Sequence, residues 1–149
     1  MGPVVINGQT TLNAAQEIVW KVLQDPDALK NAIPGCDELT EIEPDTYKAT
    51  LKLGVAAVRG TYVARVQVAD QVAPSQYRLR INGSGGTGFV DVDGTVRLTA
   101  TGSDTTAVEY EFDVNVGGTI AGVGQRMLSG VAKFMMGEFV KSMEKQIPK

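Results

Sequence analysis

The chain reads as an α+β protein in which a curved antiparallel sheet of about seven strands wraps a long carboxy-terminal helix over an apolar cavity. Three observations predict this. Alternating apolar and polar residues run almost unbroken from Thr46 to Val116, the pattern of half-buried strands. Two short helical patterns precede that run, after a single first strand. One long Met-rich helical pattern follows it. The 149 residues fit one domain, and an apolar content of 43% can bury a sizeable core without metals or disulfides.

In the first strand, Val4, Ile6, Gly8, Thr10 and Leu12 alternate with their neighbours. Asn13 with Gln16 makes an N-cap pair, and the helix it opens places Ala15, Ile18, Val19, Val22 and Leu23 on one face. Asp25-Pro26 suits the cap and first turn of a second, shorter helix through Ala32. Trp20 falls off the centre of the first helix's stripe, where it either borders a pocket or packs at a core edge. After the Pro34-Gly35 turn, Cys36 to Ile42 and Thr46 to Val58 read as strands joined through Pro44-Asp45.

Tyr47, Ala49, Leu51, Leu53 and Val55 share one face, as do Tyr62, Ala64, Val66 and Val68, then Tyr77, Leu79 and Ile81. Arg65, Arg78 and Arg80 alternate outward. Loops are predicted at 70–75 and 83–88, and a hairpin at 102–105. The last helix, from about Gly118 to Gln146, would be roughly 43 Å long at 1.5 Å per residue. Its stripe of Ile120, Val123, Met127, Val131 and Phe134 is expected to face the sheet, flanked by Leu128, Met135 and Phe139.

The composition excludes whole classes of chemistry. With no histidine, Ser-His and Cys-His nucleophile pairs and His-ligated metal sites cannot be built, so neither catalytic nor metal residues are assigned. The close carboxylates, Asp91 with Asp93 and Glu109 with Glu111 and Asp113, alternate with Val90, Val92, Val108, Tyr110, Phe112 and Val114. That spacing places them on the solvated outside of a half-buried sheet rather than in a catalytic pair. A net charge of -3 with scattered Lys and Arg argues against nucleic acid as a partner. Cys36 is the single cysteine, which fits a reducing compartment and a buried, inert thiol. The amino terminus lacks a signal-peptide pattern, and no apolar run reaches the roughly 20 residues needed to span a bilayer. The expected location is cytoplasmic, with peripheral contact at the inner face of the cell membrane left open.

Two glycine clusters need separate readings. Gly83-Ser84-Gly85-Gly86-Thr87-Gly88 matches the letters of the dinucleotide fingerprint, but a strand follows where that motif needs a helix, so it reads as a hairpin loop. Gly117, Gly118, Gly122 and Gly124 open a helix without the Lys-Ser/Thr of a phosphate loop, and close packing explains them better.

The small residues Ala49, Gly60, Ala64, Gly94 and Ala100 face a helix that is itself interrupted by glycines. A dense core sets large residues against small ones, so this arrangement predicts either a close helix approach or a hollow. The candidate lining is Trp20, Tyr47, Leu51, Tyr62, Ala64, Val66, Tyr77, Leu79, Val96, Tyr110, Phe112, Val123, Gly124, Met127, Val131 and Met135. Its four tyrosines could supply hydroxyls to a mostly apolar site, and its methionines could adapt to a guest or fill core gaps.

The chain resembles the carbon monoxide dehydrogenase G-subunit family of the START-like (SRPBCC) helix-grip superfamily. The resemblance rests on Gly8, Ile18-Val19-Trp20, Leu23-Gln24-Asp25-Pro26, Leu29 and Ile33-Pro34-Gly35-Cys36. It continues through Gly60, Tyr77, Gly83, Gly85 and Gly88 to the stretch from Gly117 to Arg126, and so covers nearly the whole chain. Ile33-Pro34-Gly35-Cys36 is the most specific of these elements. The resemblance implies a noncatalytic accessory protein of a carbon monoxide dehydrogenase-type molybdenum hydroxylase, assisting its maturation, membrane attachment or electron delivery. An apolar hollow beside a redox enzyme suggests a lipid or quinone ligand and no covalent cofactor. Two readings compete: a superfamily enzyme of aromatase/cyclase or hydratase type, in which a Tyr or carboxylate in the cavity transfers a proton, and a filled-core protein that only docks a partner.

Overall fold

The computed structural model describes residues 4–54 and 59–147. Strand β1 (Val4–Leu12) leads into helices α1 (Gln16–Gln24) and α2 (Pro26–Ala32). Six further strands follow: β2 (Cys36–Glu43), β3 (Thr46–Leu53), β4 (Gly60–Val72), β5 (Gln76–Gly85), β6 (Gly88–Gly102) and β7 (Thr105–Gly117). A 3-10 turn (Gly118–Val123) then precedes helix α3 (Gln125–Gln146). The strands form one antiparallel sheet in the order β1-β7-β6-β5-β4-β3-β2, so the first two strands in sequence lie at opposite edges. The rest of that order follows the chain, since antiparallel neighbours can be joined by tight turns.

Local chemistry explains the turns. Asp25 caps α2, its carboxylate accepting from the Asp27 amide at 3.0 Å, with Pro26 in the first turn. Gly35 has φ +75, and a Cβ there would sit 2.3 Å from the Lys52 carbonyl oxygen. The Gly35 carbonyl accepts from the Lys52 amide at 2.8 Å, so the Pro34-Gly35 turn is stitched flat against β3. The β5–β6 hairpin turns at Gly86-Thr87, with strand on both sides of the glycines, as expected for a hairpin and not for a dinucleotide loop.

Several sequence expectations are corrected. Asn13 does not cap α1; Ala15 holds the cap position without a side-chain bond, and the helix starts at Gln16. The Gln16 amide instead donates to the carbonyls of Pro74 (3.0 Å) and Leu98 (3.2 Å), tying α1 to the sheet. The last helix does not run unbroken from Gly118. It begins after Gly124, whose φ of +94 departs from helical geometry, and its 22 residues span about 33 Å. The predicted loop at 83–88 shrinks because both strands extend into it. The expected reach of β3 to Val58, with Val55 on its inner face, lies outside the described residues.

The stripe on α3 is also rotated from its expected position. Leu128 and Met143 are its buried residues, whereas Met127 and Phe134 are 53% and 54% exposed. Two neighbours decide this. The end of α3 is pinned to α2, with Gln146 donating to the Ala28 carbonyl at 3.1 Å and Ser142 to the Asn31 carbonyl at 3.3 Å. Its flank also packs against β1.

Candidate ligand-binding crevice

The interior is divided. One buried cluster fills the end closed by α1 and α2, joining Leu12, Val19, Leu23, Leu98, Val108 and Met143 among others. A second gathers Val4, Ile6, Tyr62, Ile120 and Leu128 at the opposite end. A third, Tyr47, Ala49, Ala64 and Val66, lies on the inner face of β3 and β4. The first meets the third through Leu79 and the second through Tyr110, both half-buried. One main core with smaller satellite clusters is usual for a domain. Here the apolar residues between clusters, Leu51, Leu79, Ile81, Val90 and Val92, point inward by alternation yet stay half-buried. Together with the half-buried Val131, Met135, Met136 and Phe139 of α3, they mark the candidate crevice between sheet and helix.

The sequence-derived candidates sort into three groups against this geometry. Tyr47, Tyr62, Ala64, Val66, Tyr77, Val96 and Phe112 are buried within the clusters. Trp20, Leu51, Leu79, Tyr110, Val131 and Met135 are half-buried, as is Gly124. Val123 and Met127 are exposed on the solvent side of the helical segment. Ile81, Val92, Met136 and Phe139 are not in the candidate lining; the alternation places the first two inward and Phe139 flanks the expected stripe, and only the rotation of α3 brings in Met136.

The aromatic residues occupy much of the inner face. Trp20 meets the Tyr77 ring edge-on, with centroids 5.6 Å apart, which places it at the edge of the helical-end core. Tyr110 and Phe112 stack at 5.9 Å. A Cβ at Gly8 would lie 2.5 Å from the Tyr110 hydroxyl, and one at Gly94 would run into both the Glu111 carbonyl oxygen and the Phe112 ring. These glycines therefore make room for rings of the adjacent strand β7. The small residue at 94 is thus matched by a large cross-strand neighbour, and not by the helix approach or hollow the sequence suggested. Ala100 is exposed near the end of β6 and takes no part in the inner face. The Tyr62 hydroxyl pairs with the Thr87 hydroxyl at 2.8 Å, joining the inner face to the β5–β6 hairpin.

The crevice is electrostatically quiet. No carboxylate occupies an inward position of β3 to β7; Glu109, Glu111 and Asp113 are exposed on the outer face, and Asp93 pairs there with Arg78 through a 2.7 Å bond from Nε. Burial pushes the Tyr77 phenol up, and burial reinforced by Glu41 and Asp45 does the same to Tyr47. Cys36 is half-buried rather than fully enclosed; desolvation still raises its thiol, whose Sγ donates to the Glu38 carbonyl at 3.3 Å. These groups are neutral at neutral pH and offer hydrogen bonds rather than a ready base. Among the described residues no group of three or more His, Cys, Asp or Glu side chains is placed to hold a metal ion.

A family model for the G subunit of carbon monoxide dehydrogenase (CoxG) matches residues 8–148. The chain belongs to the CoxG family. The match takes in the whole sheet beyond the start of β1, both short helices and α3. Among solved structures, a conserved protein from Geobacillus kaustophilus is similar at 43% identity, with a TM-score of 0.92 over 95% of this chain and 93% of that one. A START superfamily protein from Mycobacterium smegmatis shares the fold at 15% identity and a TM-score of 0.79, covering 98% of this chain and 97% of the other. So does the Zhui aromatase/cyclase from Streptomyces sp. R1128, at 16% identity and a TM-score of 0.72 over 96% and 92% of the two chains. The curated proteins give no match. The START-like fold read from the sequence is therefore the fold of this CoxG family member. No helix among the described residues is long and apolar enough to cross a membrane.

Proposed function

We propose that this CoxG family member is a noncatalytic accessory protein carrying a lipid- or quinone-like molecule in the crevice between the sheet and α3. The partner it serves is a carbon monoxide dehydrogenase-type enzyme, in maturation, membrane attachment or electron delivery, from a cytoplasmic position that includes contact with the inner membrane face. The observation that carries this reading is the set of inward apolar side chains, Leu51, Leu79, Ile81, Val90 and Val92, that pack against the clusters and yet stay half-buried. A guest would complete their burial, since ligand sites are mostly apolar concavities with few polar groups. Carrier function is favoured over catalysis by the lack of an inward carboxylate from β3 to β7. The competing reading, an enzyme of aromatase/cyclase type, draws on the fold shared with one such enzyme.

The test is native mass spectrometry with organic extraction of the protein purified from its own host. A stoichiometric apolar adduct, lost in an Ile81→Trp variant that still folds, supports the carrier reading. A bare protein that shows no uptake of quinone or phospholipid from vesicles rejects it. Turnover of an added substrate to a cyclised aromatic product would favour the enzyme reading.

A further inference from the structure

One polar group inside the molecule has no partner. Gln24, the last residue of α1, is half-buried, and its side-chain nitrogen is fully enclosed without a hydrogen bond. Every other enclosed side-chain nitrogen or oxygen among the described residues is paired. Folded proteins pair nearly all such atoms, and an enclosed donor left without an acceptor costs stability. The position therefore calls for an acceptor that the chain itself does not supply.

Its neighbours place it on the guest's side of the molecule. Trp20 lies one turn earlier on the same face of α1, and helical side chains lean back toward the amino terminus, so Gln24 reaches over Trp20. The Trp20 ring meets Tyr77 of β5. In the other direction Asp25, the next residue, acts electrostatically on the Tyr47 phenol of β3. The Gln24 amide thus stands at the α1 end of the inner face, between β5 and β3, where half-buried Leu79 joins the first and third clusters.

Charge decides what kind of acceptor fits. The inward positions of β3 to β7 carry no Lys or Arg, as they carry no carboxylate, and the cations of α1 and α2, Lys21 and Lys30, are exposed. An ionised carboxylate or phosphate would be buried there without a counter-charge, at a high cost. A neutral carbonyl oxygen accepts from an amide without that cost.

We propose that Gln24 anchors a carbonyl oxygen of the guest, so that the crevice selects neutral carbonyl-bearing apolar molecules, a quinone ring or a lipid ester, over hydrocarbons and over ionised lipids. The carbonyl end sits under α1, and the apolar remainder lies along β5 toward Ile81. Gln24 has this role only if the crevice carries a guest, as proposed above.

The test is equilibrium dialysis of the delipidated full chain against menadione, methyl decanoate, decanoate, 2-methylnaphthalene and 1-naphthol. Menadione or methyl decanoate should bind best, and whichever loses affinity in Gln24→Met identifies a quinone or an ester as the source of the carbonyl. That loss should be about tenfold, the effect of one hydrogen bond, with 2-methylnaphthalene unaffected. The same variant should raise the melting temperature of the unliganded protein by about 3 °C, because it removes an unpaired buried donor. Gln24→Asn, which keeps the amide but draws it back by one methylene, should lose the same affinity without that gain. Binding of 2-methylnaphthalene together with indifference of menadione and methyl decanoate to Gln24→Met would overturn the anchor and leave the carrier reading standing. Absence of binding by all five compounds would overturn both. Tighter binding of decanoate or of 1-naphthol, a donor, would also reject the anchor, as would a lower melting temperature for Gln24→Met, the sign of a structural water on the amide.

Discussion

The two ends of the molecule are packed by different means. At the helical end, α1, α2 and the last turns of α3 close over large apolar side chains, and Val19 and Met143 are fully enclosed. Polar ties finish that end: Thr106, itself completely buried, donates to the Ala14 carbonyl at 2.8 Å. At the opposite end the chain relies on glycines. Gly118 has φ +79, with its Cβ position 2.7 Å from the Gly88 Cα, and a Cβ on Gly117 would fall 2.1 Å from the Phe89 ring. Backbone rests on backbone there, and the apolar residues above it, Leu51, Leu53, Val90 and Val131, remain half-buried. The dense end holds α3 in place, while the other end fixes its backbone and leaves apolar side chains half-buried.

The largest expected effect tests the dense end. Met143→Ala should destabilise by about 3 kcal/mol, the cost of a cavity in a well-packed core. Leu79→Ala, at the junction of two clusters, should cost about half as much, because its surroundings are already incomplete. Equal shifts in urea midpoint would erase the distinction. Next comes Gly118→Ala, expected to cost about 2 kcal/mol through its positive φ and its contact with Gly88. If it were neutral, the glycine end would be loose throughout rather than rigid at its backbone. Thr106→Val keeps the shape but leaves the buried Ala14 carbonyl without its donor, for a loss of about 1 to 2 kcal/mol in the same titration.

Gly137→Ala should raise stability by up to about 1 kcal/mol, since nothing opposes a methyl there and helix propensity improves. The smallest effect is on the outer face. The Arg78 bond holds the Asp93 carboxyl below its ordinary value of 3.8. A lowered folded-state value means that its contribution is present above the unfolded value and is lost as pH falls through the folded one. Asp93→Asn should therefore be slightly less stable than the parent at neutral pH, with the difference fading as pH falls below about 4, and the effect stays small because both groups are partly solvated.

Much of this architecture was legible in the residues. Alternation from Tyr47 to Val116 is a local property with period two, so it assigned the faces of β3 to β7 correctly, including the outward placing of Glu109, Glu111 and Asp113. Asp25-Pro26 and Pro34-Gly35 carried their turns in their own chemistry. The rotation of α3 was not legible, because apolar residues cover a broad arc from Met127 and Phe134 through Leu128 and Ala132 to Met136. Its own pattern does not say which part of that arc is buried; α2 and β1 do. Gly8 and Gly94 were equally opaque, since each is explained by a ring that arrives from the neighbouring strand.

The sequence by itself determined the class of fold, the inner and outer faces of the sheet, the positions of the turns, and the absence of any histidine chemistry. These follow from backbone periodicity and from the composition of short segments. Tertiary structure alone decided the phase of α3, the closure of the helical end, and which inward side chains stay half-buried. Each of those depends on which surfaces meet across the molecule, and contacts between residues far apart in the chain leave no period in it to read.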